Sequence, residues 1–300
     1  MIRGIILGLA LLSSAPASAG QKAFSQTKHV TLNVAAFDER DHVIGDLNAN
    51  DFQITDQGNA QRIGSFRRND TPGVVVILFD LLNDSFGAQG HGAQEIARVL
   101  QPLESSDSVY LYLLTRQADL RPVRGLDSPP SRVPWTEHIR PLLDAAMENA
   151  VALRQQDVDP LNATYSAIDA LGSRMASMPG RKTLLWISHG LPVAFDGNSP
   201  SARINRIATA LDNAGVTMDS NDQGSSVTGT SAAFEQFAKF TGGKVFYNEI
   251  DKAVSEAMAG SRFSYTIQYD VPRDGKYHKV RVTSTRKGVR LQFEQGYYAN

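Results

Sequence analysis

Polar residues that could hold a cation or move a proton occur at three places in this sequence. Asp80 and Asp84 come after one apolar run, Ser188 and His189 come after a second, and Asn162 lies at the start of a helical pattern. Carboxylate and amide oxygens are ligands that Mg²⁺ prefers in proteins. A serine hydroxyl, an imidazole and a carboxylate together form the usual set of a hydrolase. The residue types therefore indicate two kinds of chemistry, cation binding and hydrolysis.

The hydrolase hypothesis has less support from the local sequence. Ser188 and His189 are adjacent, and neighbours in a loop rarely form a productive hydrogen bond between hydroxyl and imidazole. No G-x-S-x-G motif is present, and Gly87, Gly90 and Gly92 lack the G-x-G-x-x-G spacing of a phosphate loop. The sequence contains no cysteine, which excludes thiolate metal sites and cysteine nucleophiles.

The strand ends that would position these residues belong to an alternating pattern of strands and helices. The apolar run at residues 73–79 is typical of a strand that is buried on both faces. Helical spacing of apolar residues separates it from the further strands that we predict at residues 108–114, 183–187, 216–218 and 244–247. The alternation predicts an α/β fold with a doubly wound, mostly parallel, Rossmann-like sheet. In such sheets ligands bind outside the carboxyl ends of the strands, which is where the candidate residues lie.

The two ends of the chain show the period of two that is typical of half-buried strands. These segments are residues 29–66 and residues 263–298. Neither segment alone can bury two sheet faces, so we predict that they pack together as a small β-sandwich that flanks the α/β domain. The predicted domains are an N-terminal β segment at 28–70, the α/β domain at 72–260 and a C-terminal β segment at 261–300.

The first 19 residues have the three-part pattern of a secretory signal peptide. Arg3 gives a positive start, residues 5–12 are apolar, and Ala17-Ser-Ala19 is an A-x-A cleavage pattern. We therefore expect an exported chain, periplasmic or secreted, with cleavage near Ala19. No later apolar stretch is long enough to predict a transmembrane helix.

Charged and aromatic residues elsewhere are expected to have structural roles. The 30 Lys and Arg nearly balance the 31 Asp and Glu, so no overall charge predicts binding to nucleic acid or an anionic membrane. Arg181 and Lys182 lie before a predicted strand and are interpreted as solvated charges. Phe234, Phe237 and Phe240 have helical spacing and are expected to pack in the core.

Four stretches of the sequence carry a family resemblance: residues 179–188, 238–243 and 295–298, together with 45–54 near the start. The sequence resembles the von Willebrand factor A domains, and most closely the VWFA-related domain family found in acidobacteria. The resemblance runs in order from about Val30 to the C-terminus. It implies a secreted protein with a von Willebrand factor A-like α/β domain and a metal-ion-dependent adhesion site (MIDAS) that binds Mg²⁺.

Carried over by position, the resemblance implies that this metal site is degenerate. Asp80 matches the first Asp of the Asp-x-Ser-x-Ser loop, while Leu82 and Asp84 replace its two serines. Asn162 best matches the later Thr, and His189 replaces the late Asp. Leucine offers no ligand atom, and imidazole is a poor ligand for Mg²⁺. Asp80, Asp84 and Asn162 would then hold at most a weak, water-rich Mg²⁺ site, and we expect Asp80 mainly to accept hydrogen bonds from loop amides.

The sequence thus predicts a protein-interaction module with no required cofactor, rather than an enzyme. Its partner, a protein, is expected to contact the loops around Ser85, Ser188 and His189, because polar loops on a rigid sheet are common recognition surfaces. Two alternatives stay open. One is a hydrolase that uses Asp80, Asp84 and His189, and the other is a structural component of a cell-envelope assembly.

Overall fold

The computed structural model describes residues 27–83, 98–127, 141, 159–188, 200–223 and 231–300. In these ranges the strands, numbered in chain order, are β1 (Thr27–Phe37), β2 (Phe52–Asp56), β3 (Asn59–Gln61), β4 (Ser65–Asn69), β5 (Val74–Asp80), β6 (Val109–Leu114), β7 (Leu120–Arg124), β8 (Lys182–Ser188), β9 (Val216–Asp222), β10 (Val245–Tyr247), β11 (Ser264–Pro272), β12 (Tyr277–Ser284), β13 (Arg290–Gln292) and β14 (Gly296–Tyr298). The α-helices are α1 (Pro160–Met175), α2 (Pro200–Asn213), α3 (Ser231–Thr241) and α4 (Ile250–Gly260).

A six-stranded sheet runs through the middle of the chain, in the order β10-β9-β8-β5-β6-β7. All of its pairings are parallel except that of β7, which is antiparallel at one edge. Every residue of β5 is buried, because successive side chains enter cores on opposite faces of the sheet. The prediction of a mixed α/β fold with a mostly parallel sheet is therefore confirmed.

Helices cover both faces of this sheet. Residues of α1, α2 and α3 form one core with Val76 and Leu78 of β5, and residues of α4 form the other with Ile77 and Phe79. The first core contains a group of aromatic side chains on α3, namely Phe234, Phe237 and Phe240. The expectation that these three residues pack in the core is confirmed. In the described ranges, no helix is long and apolar enough to cross a membrane.

The strands from the two ends of the chain pair with one another in two antiparallel, four-stranded sheets. Their orders are β13-β1-β11-β4 and β14-β12-β2-β3. Each sheet contains strands from both ends, as the pairing of β1 with β11 and of β2 with β12 shows. Leu32 and Ile267 from the first sheet share one hydrophobic cluster with Ile54 and Val282 from the second.

A buried polar group also joins these two sheets. The carboxylate of Asp56 on β2 accepts hydrogen bonds from the hydroxyl of Tyr269 on β11 at 3.0 Å and from that of Tyr297 on β14 at 2.5 Å. His278 Nδ1 lies 2.6 Å from the other oxygen of the carboxylate. Because Asp56 is almost fully buried, these donors supply the hydrogen bonds that water would otherwise give.

The interpretation of Arg181 as a solvated charge is wrong. Its residue exposure is only 6%, and its Nη1 donates a hydrogen bond to the carbonyl of Asn33 on β1 at 3.4 Å. The terminal sheets cover this end of the six-stranded sheet, so the side chain is taken out of water. Burial lowers the pKa of Arg181, and the nearby carboxylates of Asp219 and Glu294 act in the opposite direction.

Candidate functional site

The candidate site is built around the carboxylate of Asp80, the last residue of β5. Asp80 has no exposed surface. Its Oδ1 accepts hydrogen bonds from the backbone amides of Leu82 and Asn83, both at 3.1 Å. An aspartate that binds the amides two and three residues ahead closes a tight turn, so this carboxylate fixes the path of the chain as it leaves the strand.

The other oxygen of Asp80 ties that turn to the neighbouring strand. Oδ2 accepts hydrogen bonds from the Ser188 hydroxyl at 2.9 Å and from Trp186 Nε1 at 3.2 Å. Both donors belong to β8, whose Ile187 pairs with Phe79 of β5, and residues two apart on a strand share one face. Burial raises the pKa of Asp80, and hydrogen bonds from Asn83, Ser188 and Trp186 oppose that shift.

Asn83 extends the network from Asp80 to a helix. Its Nδ2 donates to Asp80 Oδ2 and to the hydroxyl of Thr164 on α1, each at 2.7 Å. The Thr164 hydroxyl in turn donates to the carbonyl of Pro160 at 2.8 Å. The side-chain amide of Asn83 therefore lies between the carboxylate of Asp80 and the hydroxyl of Thr164.

The structure places Asn162 differently from Thr164, although both lie in the first turns of α1. Asn162 is exposed, and its Oδ1 accepts a hydrogen bond from Nη2 of Arg203 on α2 at 2.6 Å. Its backbone amide is capped by the side chain of Asp159. The described contacts thus connect Thr164 with Asp80 through Asn83, and they connect Asn162 with α2. Neither Asn83 nor Thr164 was predicted from the sequence as a site residue.

The remaining predicted site residues divide into two groups. Ser188 contacts Asp80 directly, as described above, and Leu82 is half-buried against the core that α1, α2 and α3 form. Asp84, Ser85 and His189 lie outside the described residues. The predictions that rest on those three residues therefore stay predictions.

The described groups around Asp80 do not fit the oxygen ligand set that a Mg²⁺ ion needs. The two carboxylate oxygens already accept five hydrogen bonds, from Leu82, Asn83, Trp186 and Ser188. Mg²⁺ needs a nearly octahedral set of oxygen ligands, and the amide of Asn83 presents N–H donors in the space beside the carboxylate. Across the part of the chain that the structure describes, no three His, Asp or Glu side chains come together as a possible metal site.

The comparisons with known proteins give remote structural similarities. No family model matches the sequence, and no curated protein matches it. A structure of proximal thread matrix protein 1 from the mussel byssus is 13% identical over 65% of this chain and 48% of its own, with a TM-score of 0.40. A second structure of that protein, described with a zinc-occupied MIDAS motif, gives 13% identity over 63% of this chain and 48% of its own, also with a TM-score of 0.40. The human COPII-coat protein Sec24c is 11% identical over 76% of this chain and 44% of its own, with a TM-score of 0.37.

This chain thus spans about half the length of those proteins. Its six-stranded, mostly parallel sheet with helices on both faces is a mixed α/β fold. No finding supports membership of the acidobacterial family. Similarities this remote carry no argument about function, so that argument has to come from the site itself.

Proposed function

We propose that this chain is an exported protein-interaction module of the von Willebrand A-like type. Its binding surface would be the carboxyl end of the six-stranded sheet, around Asp80. The observation that carries the proposal is the hydrogen-bond network of Asp80, which joins the turn after β5 to β8 directly and to α1 through Asn83. The network fixes the points at which the chain leaves β5 and β8, and recognition by loops requires such a rigid scaffold.

In this proposal the module binds without a metal ion. The Asn83 amide donates to both Asp80 and Thr164 at 2.7 Å, so it supplies positive hydrogen atoms where a cation would otherwise join two oxygen ligands. The site is then a degenerate MIDAS in which an amide has the structural role of the ion. A weak Mg²⁺ site that uses Asp84 and Asn162 stays a prediction from the sequence.

A binding role also suits the chemistry of Asp80 better than catalysis does. A general base or nucleophile needs a free lone pair within reach of a substrate, whereas Asp80 is fully buried and accepts five hydrogen bonds. The hydrolase alternative depends on Asp84 and His189, outside the described residues, and no observation in the described part of the chain favours it. We therefore propose that the protein is not an enzyme.

The terminal sheets complete the proposed module. We propose that they form the predicted β-sandwich, because Leu32 and Ile54 share a cluster and Tyr269 bonds to Asp56 across the two sheets. Export through residues 1–19 as a signal peptide is part of the same proposal. The chain would then act in the envelope or outside the cell, and its partner would bind at the Asp80 end of the sheet.

Site-specific photo-crosslinking tests this function. A photoreactive amino acid at exposed Asn162, beside the proposed surface, should capture a protein from a bacterial envelope extract with the full chain as bait. The same group at Arg262, which is exposed just after α4 at the amino end of the sheet, where the carbonyl of Ser261 accepts a hydrogen bond from the amide of Gly73, is the matched control and should not capture that protein. Capture at both positions, or at neither, would contradict a binding surface at the Asp80 end.

A further inference from the structure

The six-stranded sheet has an edge strand, β10, whose outer side has no partner strand among the described residues. The carbonyl of Lys244 accepts a hydrogen bond from the amide of Ser220 in β9, and the amide of Asn248 donates to the carbonyl of Asp222. Since hydrogen-bonding residues alternate along a strand, Lys244, Phe246 and Asn248 face β9. The backbone N–H and C=O groups of Val245 and Tyr247 therefore point away from the sheet.

A groove of about 910 Å³ runs beside this free edge, on the side of α3. Its volume lies in the range of about 300–1,000 Å³ that is typical of ligand sites. Three aromatic rings form one wall: Phe240 and Tyr298 stack with centroids 6.2 Å apart, and Tyr277 meets both edge-on. Polar side chains of α3, among them Glu235 and Lys239, line the groove as well. We call it the edge groove.

β10 is protected as an edge strand by its length of three residues, and its side chains add no further protection. Natural edge strands are commonly guarded by lysine, proline or a bulge. The lysine next to β10 is Lys244, but its ammonium group bonds to Glu256 at 2.8 and 2.9 Å and lies over the ring of Phe246, so it is held against α4. Tyr247 is 48% exposed, and among the described residues it is the one large hydrophobic side chain that is exposed to solvent.

We propose that the edge groove binds an extended, acidic peptide segment of a partner protein, which pairs with β10 as an added strand. Such a strand would accept and donate hydrogen bonds at Val245 and Tyr247 and place every second side chain in the groove. Lys239 is the side chain in the groove that favours an acidic peptide. Its ammonium group lies 5.1 Å from the centroid of the Tyr277 ring, and it forms no ion pair with any described residue. Glu235 already accepts the hydroxyl hydrogen of Tyr247 at 2.8 Å.

A peptide suits this surface better than a second copy of the chain. The groove is lined by residues of α3 as well as by Val245, and a second copy that paired through its own three-residue β10 would present too few side chains to fill it. β10 has three residues, which gives few main-chain hydrogen bonds, and the side-chain contacts in the groove must supply the rest of the affinity. This surface involves neither Asp80 nor the loops near it, so it stands apart from the proposed function.

A peptide selection tests the proposal. A phage-displayed library of random 12-residue peptides would be selected on the full chain, and enriched peptides synthesised and titrated by calorimetry. We expect the enriched peptides to contain Asp or Glu, and Lys239→Glu to weaken their binding about tenfold or more, since a hydrogen bond to a charged group is lost. Lys287→Glu makes the same charge change at an exposed position between β12 and β13, outside the lining of the groove, and should leave the dissociation constant unchanged.

Amide hydrogen exchange gives a second readout that needs no variant. Bound peptide should slow exchange at the amides of Val245 and Tyr247, while the amide of Phe246, which faces β9, should change little. Val245→Pro removes one outward donor and should abolish binding, with thermal melting as the check on folding. The proposal is overturned if no peptide is enriched, if Lys239→Glu binds as tightly as the original chain, or if exchange at Val245 and Tyr247 is unaffected. Self-association that protects these two amides without peptide would also overturn it.

Discussion

The carboxylate of Asp80 shows how a protein can bury a charged group by surrounding it with donors. Two of its five hydrogen bonds come from backbone amides, at Leu82 and Asn83, and three come from side chains. Hydrogen bonds to an ionised acceptor are shorter and stronger than neutral ones. They offset the cost of removing the carboxylate from water, although burial still leaves its pKa raised. Each donor in turn needs the carboxylate, because Trp186 and Ser188 are themselves buried.

Replacement of Asp80 by alanine should therefore destabilise the fold strongly. The change leaves the buried donors of Trp186 and Ser188 without their acceptor, at about 1–3 kcal/mol each. We expect the free energy of unfolding, measured by urea denaturation, to fall by at least about 2 kcal/mol. Asp251→Ala on exposed α4 is the matched control and should have little effect, because its ion pair with Arg98 lies at the surface. A loss under about 1 kcal/mol for Asp80→Ala would contradict the role assigned to the network.

Because the Asp80 carboxylate already accepts five hydrogen bonds, we expect no metal ion to bind there. If its oxygens are committed to protein donors, Mg²⁺ or Mn²⁺ gains no ligand there, and the melting temperature should not change up to millimolar concentration. A ligand that binds only the native state must raise the melting temperature, so calorimetry with and without the ion decides the question. A saturable rise that Asp80→Ala removes would show that the ion displaces the Asn83 amide.

At the scale of elements, close backbone approach limits which residues can form the terminal sheets. Gly296 begins β14, beside β12. A Cβ atom at this position would lie 2.2 Å from the hydroxyl oxygen of Tyr277 and 2.5 Å from the carbonyl oxygen of His278. The glycine is thus required by space, because a backbone carbonyl in a paired strand cannot easily move.

Gly296→Ala should consequently force β12 and β14 apart and destabilise the protein by about 1–3 kcal/mol or more. The matched control is Gly64→Ala, where the new Cβ atom would meet only the carbonyl of Gln268 at an ordinary distance of 3.5 Å. Thermal or urea unfolding of both variants measures the difference. Tyr277→Phe in the Gly296→Ala background should recover only part of the loss, because the contact with His278 persists. Equal stability of the two alanine variants would contradict this account.

The elements with the strongest sequence signal are those whose burial leaves a continuous pattern. The apolar run at residues 73–79 predicted β5 almost to the residue, because both faces of that strand are covered. β7 has no such run and contains Pro122, which an antiparallel edge strand tolerates, so it was not predicted.

The site could be predicted only in part, for geometric reasons. Asp80 follows from its place after β5, but Thr164 was not predicted, because its link to Asp80 through Asn83 depends on the rotation of α1. Residues two apart on a helix do not share a face, so Asn162 and Thr164 point in different directions. In the helix that begins at Pro160, Thr164 is the residue that contacts Asn83. Arg181 was missed because the groups around it, Asn33 and Glu294, come from distant parts of the chain.

At the scale of the whole molecule, the junction between the six-stranded sheet and the terminal sheets contains buried acids. Asp219 accepts hydrogen bonds from the amide of Lys244 at 2.9 Å and from Gln292 Nε2 at 3.0 Å, and Glu294 accepts from the amide of Asn33 at 3.2 Å. Burial raises the pKa of Asp219 to about 6, against the opposing charge of Arg181. Burial also raises the pKa values of Glu294 and of Asp212. The junction is therefore formed by groups whose charge changes within a mild pH range.

These shifts predict that the protein becomes more stable as the pH falls from about 8 to about 5. An acid with a raised pKa in the folded state binds its proton at a pH where the unfolded chain, with a carboxyl pKa of about 4, has already released it. Between these two values the folded state holds more protons than the unfolded state, so the free energy of unfolding decreases as the pH rises. Urea denaturation midpoints at several pH values measure that slope.

Glu294→Gln makes the prediction specific to the junction. Glutamine keeps the shape and the acceptor oxygen but cannot ionise, so the variant should have a flatter dependence of stability on pH and should be relatively more stable than the original chain at pH 8. Asp70→Asn is the control, because Asp70 is exposed beside Arg68 and should leave the slope between pH 5 and 8 unchanged. If Glu294→Gln unfolds with the same slope as the original chain, Glu294 keeps one charge state between pH 5 and 8, and the slope has to come from Asp212 and Asp219 instead.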